Sequence, residues 1–263
     1  MTILTASGSF AKSYTQQFKT DINSIRELGK EAFEKKLLSA KTVIHNAATI
    51  DAEGLELYVS RNFDFTRYIV SLLEKNNPNT HLIFLSSMSI LDPQDDSKYG
   101  DVVAMSPYAY SKYLAETYCL KSSLNRVSCV RFSTIFYQDP AKDGLSKLTS
   151  DAVNHKKITL FNGGAARRNF LPLHIAAQYV HKIAESNKPG KHIYNLSAPR
   201  STSFHDIAEM IKQSVSGLQI DNKKVTEPPL VLSEFGLDTI KLLGPIGFSL
   251  DDELKTYIKS LQL

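Results

Sequence analysis

The chain has 263 residues, of which 42% are hydrophobic and 22% charged, enough for one large α/β unit with a real core and a small satellite. Its formal net charge of +4 comes from 31 basic and 27 acidic side chains without a Lys/Arg run, so a nucleic-acid arm is excluded and no nucleic-acid partner is expected. Apolar runs fall far short of the ~20 residues that span a bilayer, and Met1-Thr-Ile-Leu-Thr-Ala-Ser lacks the basic and apolar regions of a signal peptide, so a cytoplasmic protein without a membrane partner is expected.

The first apolar run, Ile3-Leu4, reads as a strand and leads into the small-residue turn Thr5-Ala6-Ser7-Gly8-Ser9. A second strand is expected just before Asp21-Ile22. From Ile22 to Lys41 a charged stretch carries Ile25, Leu28, Phe33, Leu37 and Leu38 near helical spacing. Thr42-Val43-Ile44-His45 is a short buried strand that ends in Asn46-Ala47-Ala48. Residues 53–76 are the clearest helix, with Leu55, Tyr58, Val59, Phe65, Ile69, Leu72 and Leu73 on one face and Asn76-Asn77-Pro78 as its stop. His81 to Leu85 is a strand running into Ser86-Ser87, a helix covers about 107–124, and Arg126 to Phe132 is the next strand. Strands that alternate with helices in this way predict crossover units on a mostly parallel sheet.

After Tyr137 the texture becomes polar and glycine-containing. A strand follows at Ile193-Tyr194-Asn195, then a helix carrying Phe204, Ile207, Ala208 and Ile211. Ser203 with Asp206, and Ser249 with Asp252, supply N-cap pairs for that helix and for one over 250–262. Pro228-Pro229 interrupts structure between them. Residues 1–137 with about 165–195 read as the core, and 138–164 with 196–263 as a smaller lobe.

Ligands of an open parallel sheet sit outside the carboxyl ends of its strands, and three useful groups map there. Ser86 and Ser87 end one strand, and Tyr108 and Lys112 are one turn apart on the following helix. A phenol near its ordinary pKa of ~10 is a poor base at neutral pH. An adjacent ammonium stabilises the phenolate and makes the tyrosine a usable proton donor and acceptor. The pair alone is weak evidence in a chain with 12 tyrosines; the preceding serine-tipped strand and the run Ser106-Pro-Tyr-Ala-Tyr-Ser-Lys-Tyr-Leu-Ala-Glu116 give it context. With scattered histidines and only Cys119 and Cys129, no metal site and no disulfide framework are expected; both cysteines read as buried apolar residues and His45 as a packed one. The aromatic run Tyr108, Tyr110, Tyr113 and Tyr118 reads as core and cleft wall rather than a platform for bases.

The ordered segments Val43-Ile-His-Asn-Ala-Ala48, Asn62-Phe-Asp-Phe-Thr66, Phe84-Leu-Ser-Ser87, Pro107-Tyr-Ala-Tyr-Ser-Lys112 and Val130-Arg-Phe-Ser-Thr-Ile-Phe-Tyr137 resemble the extended short-chain dehydrogenase/reductases, and within them the nucleotide-sugar epimerase/dehydratase branch. Arg167-Arg-Asn-Phe-Leu-Pro-Leu173, Gly190 to Leu196 and Leu242 to Leu250 extend the likeness through the second half. The resemblance implies an α/β fold: a Rossmann-like doubly wound parallel sheet with a small C-terminal substrate-binding lobe. It also implies NAD or NADP as cofactor, a nucleotide-sugar substrate and a homodimer formed through helices 53–76 and 107–124. Tyr108 becomes the acid/base, Lys112 the group that lowers its pKa and holds a cofactor ribose, and Ser87 (Ser86 as the alternative) the group that orients substrate. Gly8, Ala11, Ala47, Ala48 and Asn62 fall along the dinucleotide, Asp21-Ile22 at its adenine, and Thr134 and Arg168 at the substrate, Arg168 on its diphosphate. The plainer alternatives are an ordinary turn at Gly8, a capping or bridging Asn62, an N-capping Asp21 and a surface salt bridge at Arg168.

Five departures qualify that expectation. The glycine-rich turn is reduced to Ala6-Ser-Gly-Ser-Phe-Ala-Lys12, with Gly8 its only glycine and Ala11 near the place of the third. About a dozen residues separate Gly8 from Asp21, leaving no room for the usual second strand, the acidic residue that binds the adenosine ribose, and the helix after them. The second diphosphate arginine, expected around 226–232, is missing, and Thr134 stands where an asparagine is common. Met88-Ser89-Ile90 after Ser87 lacks the Asp-Glu pair of the dehydratases, so epimerisation or ketone reduction is the expected reaction. The alternative is a non-catalytic nucleotide-sugar or protein-binding relative that no longer holds the dinucleotide tightly.

Overall fold

The computed structural model describes residues 1–91, 106–138, 143–186, 188–226 and 237–262. In chain order the first half contains β1 (Thr2–Leu4), α1 (Ser9–Phe18), α2 (Ile25–Leu28), α3 (Lys30–Ser39), β2 (Thr42–His45), α4 (Leu55–Tyr58), α5 (Phe65–Asn76), β3 (His81–Ser87), α6 (Pro107–Lys121) and β4 (Arg126–Phe132). The second half contains β5 (Thr134–Phe136), α7 (Gly144–His155), β6 (Lys157–Phe161), β7 (Arg167–Arg168), β8 (Phe170–Pro172), α8 (Leu173–Glu185), β9 (Gly190–Leu196), β10 (Thr202–Ser203), α9 (Phe204–Ser214), β11 (Gln219–Lys223), α10 (Leu237–Leu243) and α11 (Leu250–Leu261).

Strands β1, β2, β3, β4 and β9 form one parallel sheet in that order, with Leu4 opposite Ile44, Ile44 opposite Ile83 and Ser87 opposite Phe132. The two-residue alternation of a strand sends Ile3, Val43, Phe84 and Cys129 to one face, where Phe33, Leu37, Ile69 and Ala115 of α3, α5 and α6 cover them. Leu4, Ile44, Ile83 and Val130 go to the other face, under Tyr14, Ala176 and Val180 of α1 and α8. Helices therefore cover both faces, and the fold is the Rossmann-like doubly wound sheet. Cys119 and Cys129 are buried free thiols within it.

The strand expected before Asp21 is absent. The ten residues after Gly8 coil into α1, which ends at Lys19 in the left-handed conformation (φ 50°). All that remains of a further strand is one parallel bridge, Leu4 to Ile22, with the Asn23 amide donating to the Leu4 carbonyl at 3.0 Å. Once a crossover helix has been made, too few residues are left to pair along β1.

The charged stretch that follows is two helices rather than one, because Gly29 between them takes φ 76°. The long helix holds an irregularity that no hydropathy pattern reveals. Between α4 and α5, Val59–Asp64 is π-helical, and that stretch contains the buried Asn62. Helix α6 starts as a well-capped helix should, with the Ser106 hydroxyl accepting from the Ala109 amide and Pro107 in its first turn.

A third apolar cluster forms in the second half of the chain, where Leu145, Ile158, Phe170, Ile207, Ile211 and Tyr257 pack together. Ser203 and Ser249 cap α9 and α11 by accepting from the Asp206 and Asp252 amides, as their spacing predicts. The sequence reading lacked α7, capped by Asp143, and α8. The interruption at Pro228-Pro229 lies outside the described residues. Among the described residues no helix is long and apolar enough to cross a membrane.

Candidate active site

A crevice opens where the loops leave the carboxyl ends of β1, β2, β3 and β4. It has two compartments that share Gly8, Asn46 and Ala48. One, of about 530 Å³, lies against Ser7, Ser24, Arg26, Ala47, Arg61 and Phe65. The other, of about 290 Å³, is walled by Phe10, Leu85, Ser86, Tyr108, Lys112 and Tyr137. Gly8 sits at the join, immediately before α1, with no side chain capping that helix, and a Cβ at Gly8 would meet no protein atom within 4 Å. Uncapped amides and open space at a helix start suit an anion. Asn46 holds the turn in place. Its side-chain oxygen accepts from the Ala6 amide and its NH₂ donates to the Ala6 carbonyl, both at 3.0 Å.

In the smaller compartment Tyr108 and Lys112 come from consecutive turns of α6. Lys112 is buried. Its ammonium donates to the Leu85 carbonyl at 2.5 Å and stands 4.2 Å from the centre of the Phe84 ring. Burial pulls its pKa down to about 8, against the opposing pull of Glu116. Burial pushes the Tyr108 phenol well above its ordinary value, Tyr137 adds to the rise, and a hydrogen bond with the Ser87 hydroxyl opposes it. The expected lowering of Tyr108 by Lys112 is therefore not seen here: the ammonium is committed to Leu85 and Phe84, and the loss of water around the phenol dominates. Ser87 also accepts from the Ser89 amide at 3.1 Å. Ser86 differs from it, since its hydroxyl is buried on the cleft wall without a hydrogen-bond partner.

A buried chain of hydrogen bonds fixes these groups. The Thr66 hydroxyl donates to the Asn62 carbonyl at 2.6 Å, so it must accept from His45 Nε2 at 2.8 Å. That assigns the neutral Nε2–H form to His45, with Thr5 donating to Nδ1 at 2.8 Å. Asn62 accepts from the Thr49 amide at 2.7 Å and donates to the Thr49 carbonyl at 3.1 Å and to Ser111 at 3.0 Å, and Ser111 donates to the Tyr108 carbonyl. Asn62 thus spends its whole amide inside the protein. It ties the cleft loop to α6 instead of lining the crevice, which is the bridging role an in-helix asparagine can take. Arg131 and Glu116 form an enclosed ion pair at 2.6 Å that anchors α6 to β4 one turn beyond Lys112. The sequence reading missed Asn46, Ser111 and Glu116 as functional positions; the Lys112–Glu116 spacing was the available sign of the last.

The remaining expected site residues are dispersed. Ala47 lines the larger compartment and Ala48 both. Ala11 is buried between α1 and the sheet, the close helix–sheet contact that the third glycine of such turns provides. Asp21 is exposed, Ile22 packs on the core, and neither lines the crevice. Thr134 lies on β5 opposite Phe170, away from the two compartments. Arg168 lies half-buried on β7, opposite Thr202, and donates to the Arg167 carbonyl at 3.1 Å. Arg167 is the one that reaches Asp206, at 3.9 Å. The segment 226–232, from which the second diphosphate arginine is missing, lies outside the described residues apart from Thr226. Among the described residues no group of three or more His, Cys, Asp or Glu side chains could hold a metal ion.

The crevice fits a dinucleotide: it is a two-part space at the strand ends, with an unblocked helix start at its centre and a Tyr-Lys-Ser group at one end. Similar architectures are known. MoeE5 in complex with UDP-glucuronic acid and NAD superposes with a TM-score of 0.83 at 17% identity, over 99% of this chain and 98% of that one. UDP-N-acetylglucosamine 4-epimerase from Methanobrevibacter ruminantium M1 gives 0.81 at 17%, over 98% and 96%. UDP-glucose 4-epimerase from Thermotoga maritima gives 0.80 at 16%, over 100% and 99%. At these identities the likeness is one of fold. No curated protein sequence matches the chain. The sequence profile of one family does match, over residues 8–197, which is well over half the chain, and on that ground the protein belongs to the NAD dependent epimerase/dehydratase family.

Proposed function

We propose that the chain is a nucleotide-sugar epimerase or ketoreductase that works with NAD or NADP. The observation that carries this reading is the Tyr108 phenol, hydrogen-bonded to Ser87 and set in the same compartment as the buried Lys112. A bound dinucleotide would supply hydride exchange at a sugar carbon. Tyr108 would hold or release the proton of the hydroxyl on that carbon, and Ser87 would orient its oxygen. Lys112, charged below about pH 8, would bind a cofactor ribose, and the hydrogen bond with Ser87 would favour the phenolate. Gly8, Ala47 and Ala48 would lie along the dinucleotide. The lobe around α9 and α11 would take the nucleotide end of the substrate, with Arg168 as the proposed diphosphate contact. Met88 and Ser89 after Ser87 bring no carboxylate for an elimination, which disfavours a dehydratase. The protein is proposed to be a cytoplasmic homodimer, with the exposed Leu55, Leu57 and Tyr110 on the helices that would pair.

The test is the protein as purified, denatured and assayed by HPLC with mass detection for released dinucleotide, followed by Tyr108→Phe. Removing the hydroxyl should abolish turnover of a nucleotide sugar while leaving the fold intact by circular dichroism. An unchanged turnover rate would refute the acid/base assignment. A second reading, a non-catalytic binding relative, draws on the single-bridge remnant beyond β1, and it would lead if neither NADH nor NADPH bound at millimolar concentration.

A further inference from the structure

This inference rests on the reading of the crevice as a dinucleotide site. If the reactive end lies at Tyr108 and Lys112, the adenosine half must occupy the larger compartment, beyond Gly8 and Ala48. Among the described residues no aspartate or glutamate lines that compartment. It has two arginines instead: Arg26 on α2 and Arg61 on the π-helical stretch. Both are exposed, and neither makes an ion pair or side-chain hydrogen bond with another described residue. Arg67, further along the same run, is paired with Asp64.

The chemistry of the two nicotinamide dinucleotides differs at one point, the adenosine 2′ position. A free 2′-hydroxyl is best held by a carboxylate that accepts its hydrogen bond, whereas a 2′-phosphate needs planar cationic donors. After α1 the chain makes only the single bridge at Ile22 beside β1, with no strand end to carry that carboxylate, and Asp21 does not line the compartment. A phosphate monoester carries close to two negative charges at neutral pH, and two unpaired guanidinium groups complement it in charge and in donor geometry. We infer that Arg26 and Arg61 form a 2′-phosphate site, so that this member of the family takes NADP(H) in preference to NAD(H).

The full-length protein is titrated with NADPH and with NADH, following nucleotide fluorescence, at low and at high KCl. NADPH is expected to bind about tenfold more tightly or better, with an advantage that shrinks as salt rises. In R26A/R61A the NADPH affinity should fall about tenfold or more while NADH affinity stays within about twofold and the melting temperature holds. NADH binding as well as or better than NADPH would overturn the inference and leave the dinucleotide reading intact. Equal weakening of both nucleotides in the variant would place the arginines on the shared pyrophosphate and overturn it too. Failure of both to bind would remove the dinucleotide reading, and this inference with it.

Discussion

Replacing Glu116 by alanine tests how α6 is held. The Glu116 carboxylate takes three contacts from Arg131, at 3.0, 3.1 and 2.6 Å, and the two side chains are only 3% and 6% exposed. Arg131 stands on β4 opposite Ser86, so the pair locks α6 to the strand next to the cleft serines. Removing the carboxylate takes from an enclosed guanidinium its three contacts to Glu116, a loss of about 3–5 kcal/mol. That is a large share of the 5–15 kcal/mol that typically separates folded from unfolded chains. Urea unfolding followed by circular dichroism should show E116A with a much lower midpoint and an unchanged slope. E116Q should lose less, because its amide oxygen still accepts from Arg131. E116L/R131M, which removes both charges, should regain most of the stability. A second readout is electrostatic. Glu116 supports the charged form of Lys112, so in E116Q the Lys112 pKa should drop below about 8 and the alkaline limb of the activity profile should move to lower pH. A cost for E116A under about 1 kcal/mol would mean that water reaches the pair, and the argument would fall.

The other expectations are narrower. His45 at about 3 and His81 at about 4 are held neutral by burial, against 6.5 in the unfolded chain. The unfolded state therefore binds more protons across that interval, and stability rises with pH from about 3 to 6.5 by several kcal/mol; a melting temperature flat between these values would contradict it. Ser86→Ala removes a hydroxyl that has no protein partner, so stability should hold or rise slightly while KM for the sugar nucleotide increases; unchanged KM and kcat would leave Ser86 without a role in the site. Ser203→Ala removes the cap of α9 and should cost about 1 kcal/mol in the same urea assay, with no cost if the Asp206 amide finds water instead.

Much of the sheet was legible because buried parallel strands are short apolar runs and the helices between them carry a 3.6-residue period. Arg126 to Phe132 and the serine caps at 203 and 249 match to the residue. Helix α8 was equally legible, since Ile175, Ala176, Tyr179, Val180 and Ile183 recur at helical spacing. The π-helical stretch could not be seen, because one extra residue per turn leaves hydropathy almost unchanged and shows only in hydrogen bonds. The Tyr108, Lys112 and Ser86-Ser87 grouping was readable from strand-end position. The internal use of Asn62 was not: a buried asparagine that ties a loop to a helix has the same letter as one that faces a ligand.

The short N-terminal region has an energetic logic of its own. In a doubly wound sheet the ligand crevice lies where the strand order reverses. Here the chain passes β1 to bridge at Ile22 on one side and returns to β2 on the other, so Leu4 pairs with Ile22 and Ile44 at once and the reversal survives on a single bridge. A single bridge is enough to keep the switch point. The outer edge of β1 is closed by Asn23, whose amide bonds the Leu4 carbonyl, and by Ile25 and Leu28 packed on the core, so little unpaired backbone is left to template another chain. The wall of the larger compartment, proposed for the adenosine, is formed on this side by α2 with Arg26, and no carboxylate of the described residues lines it. With the five-stranded sheet intact, the proposed consequence of this short region falls on cofactor choice, and the 2′ position of the adenosine ribose is the place to measure it.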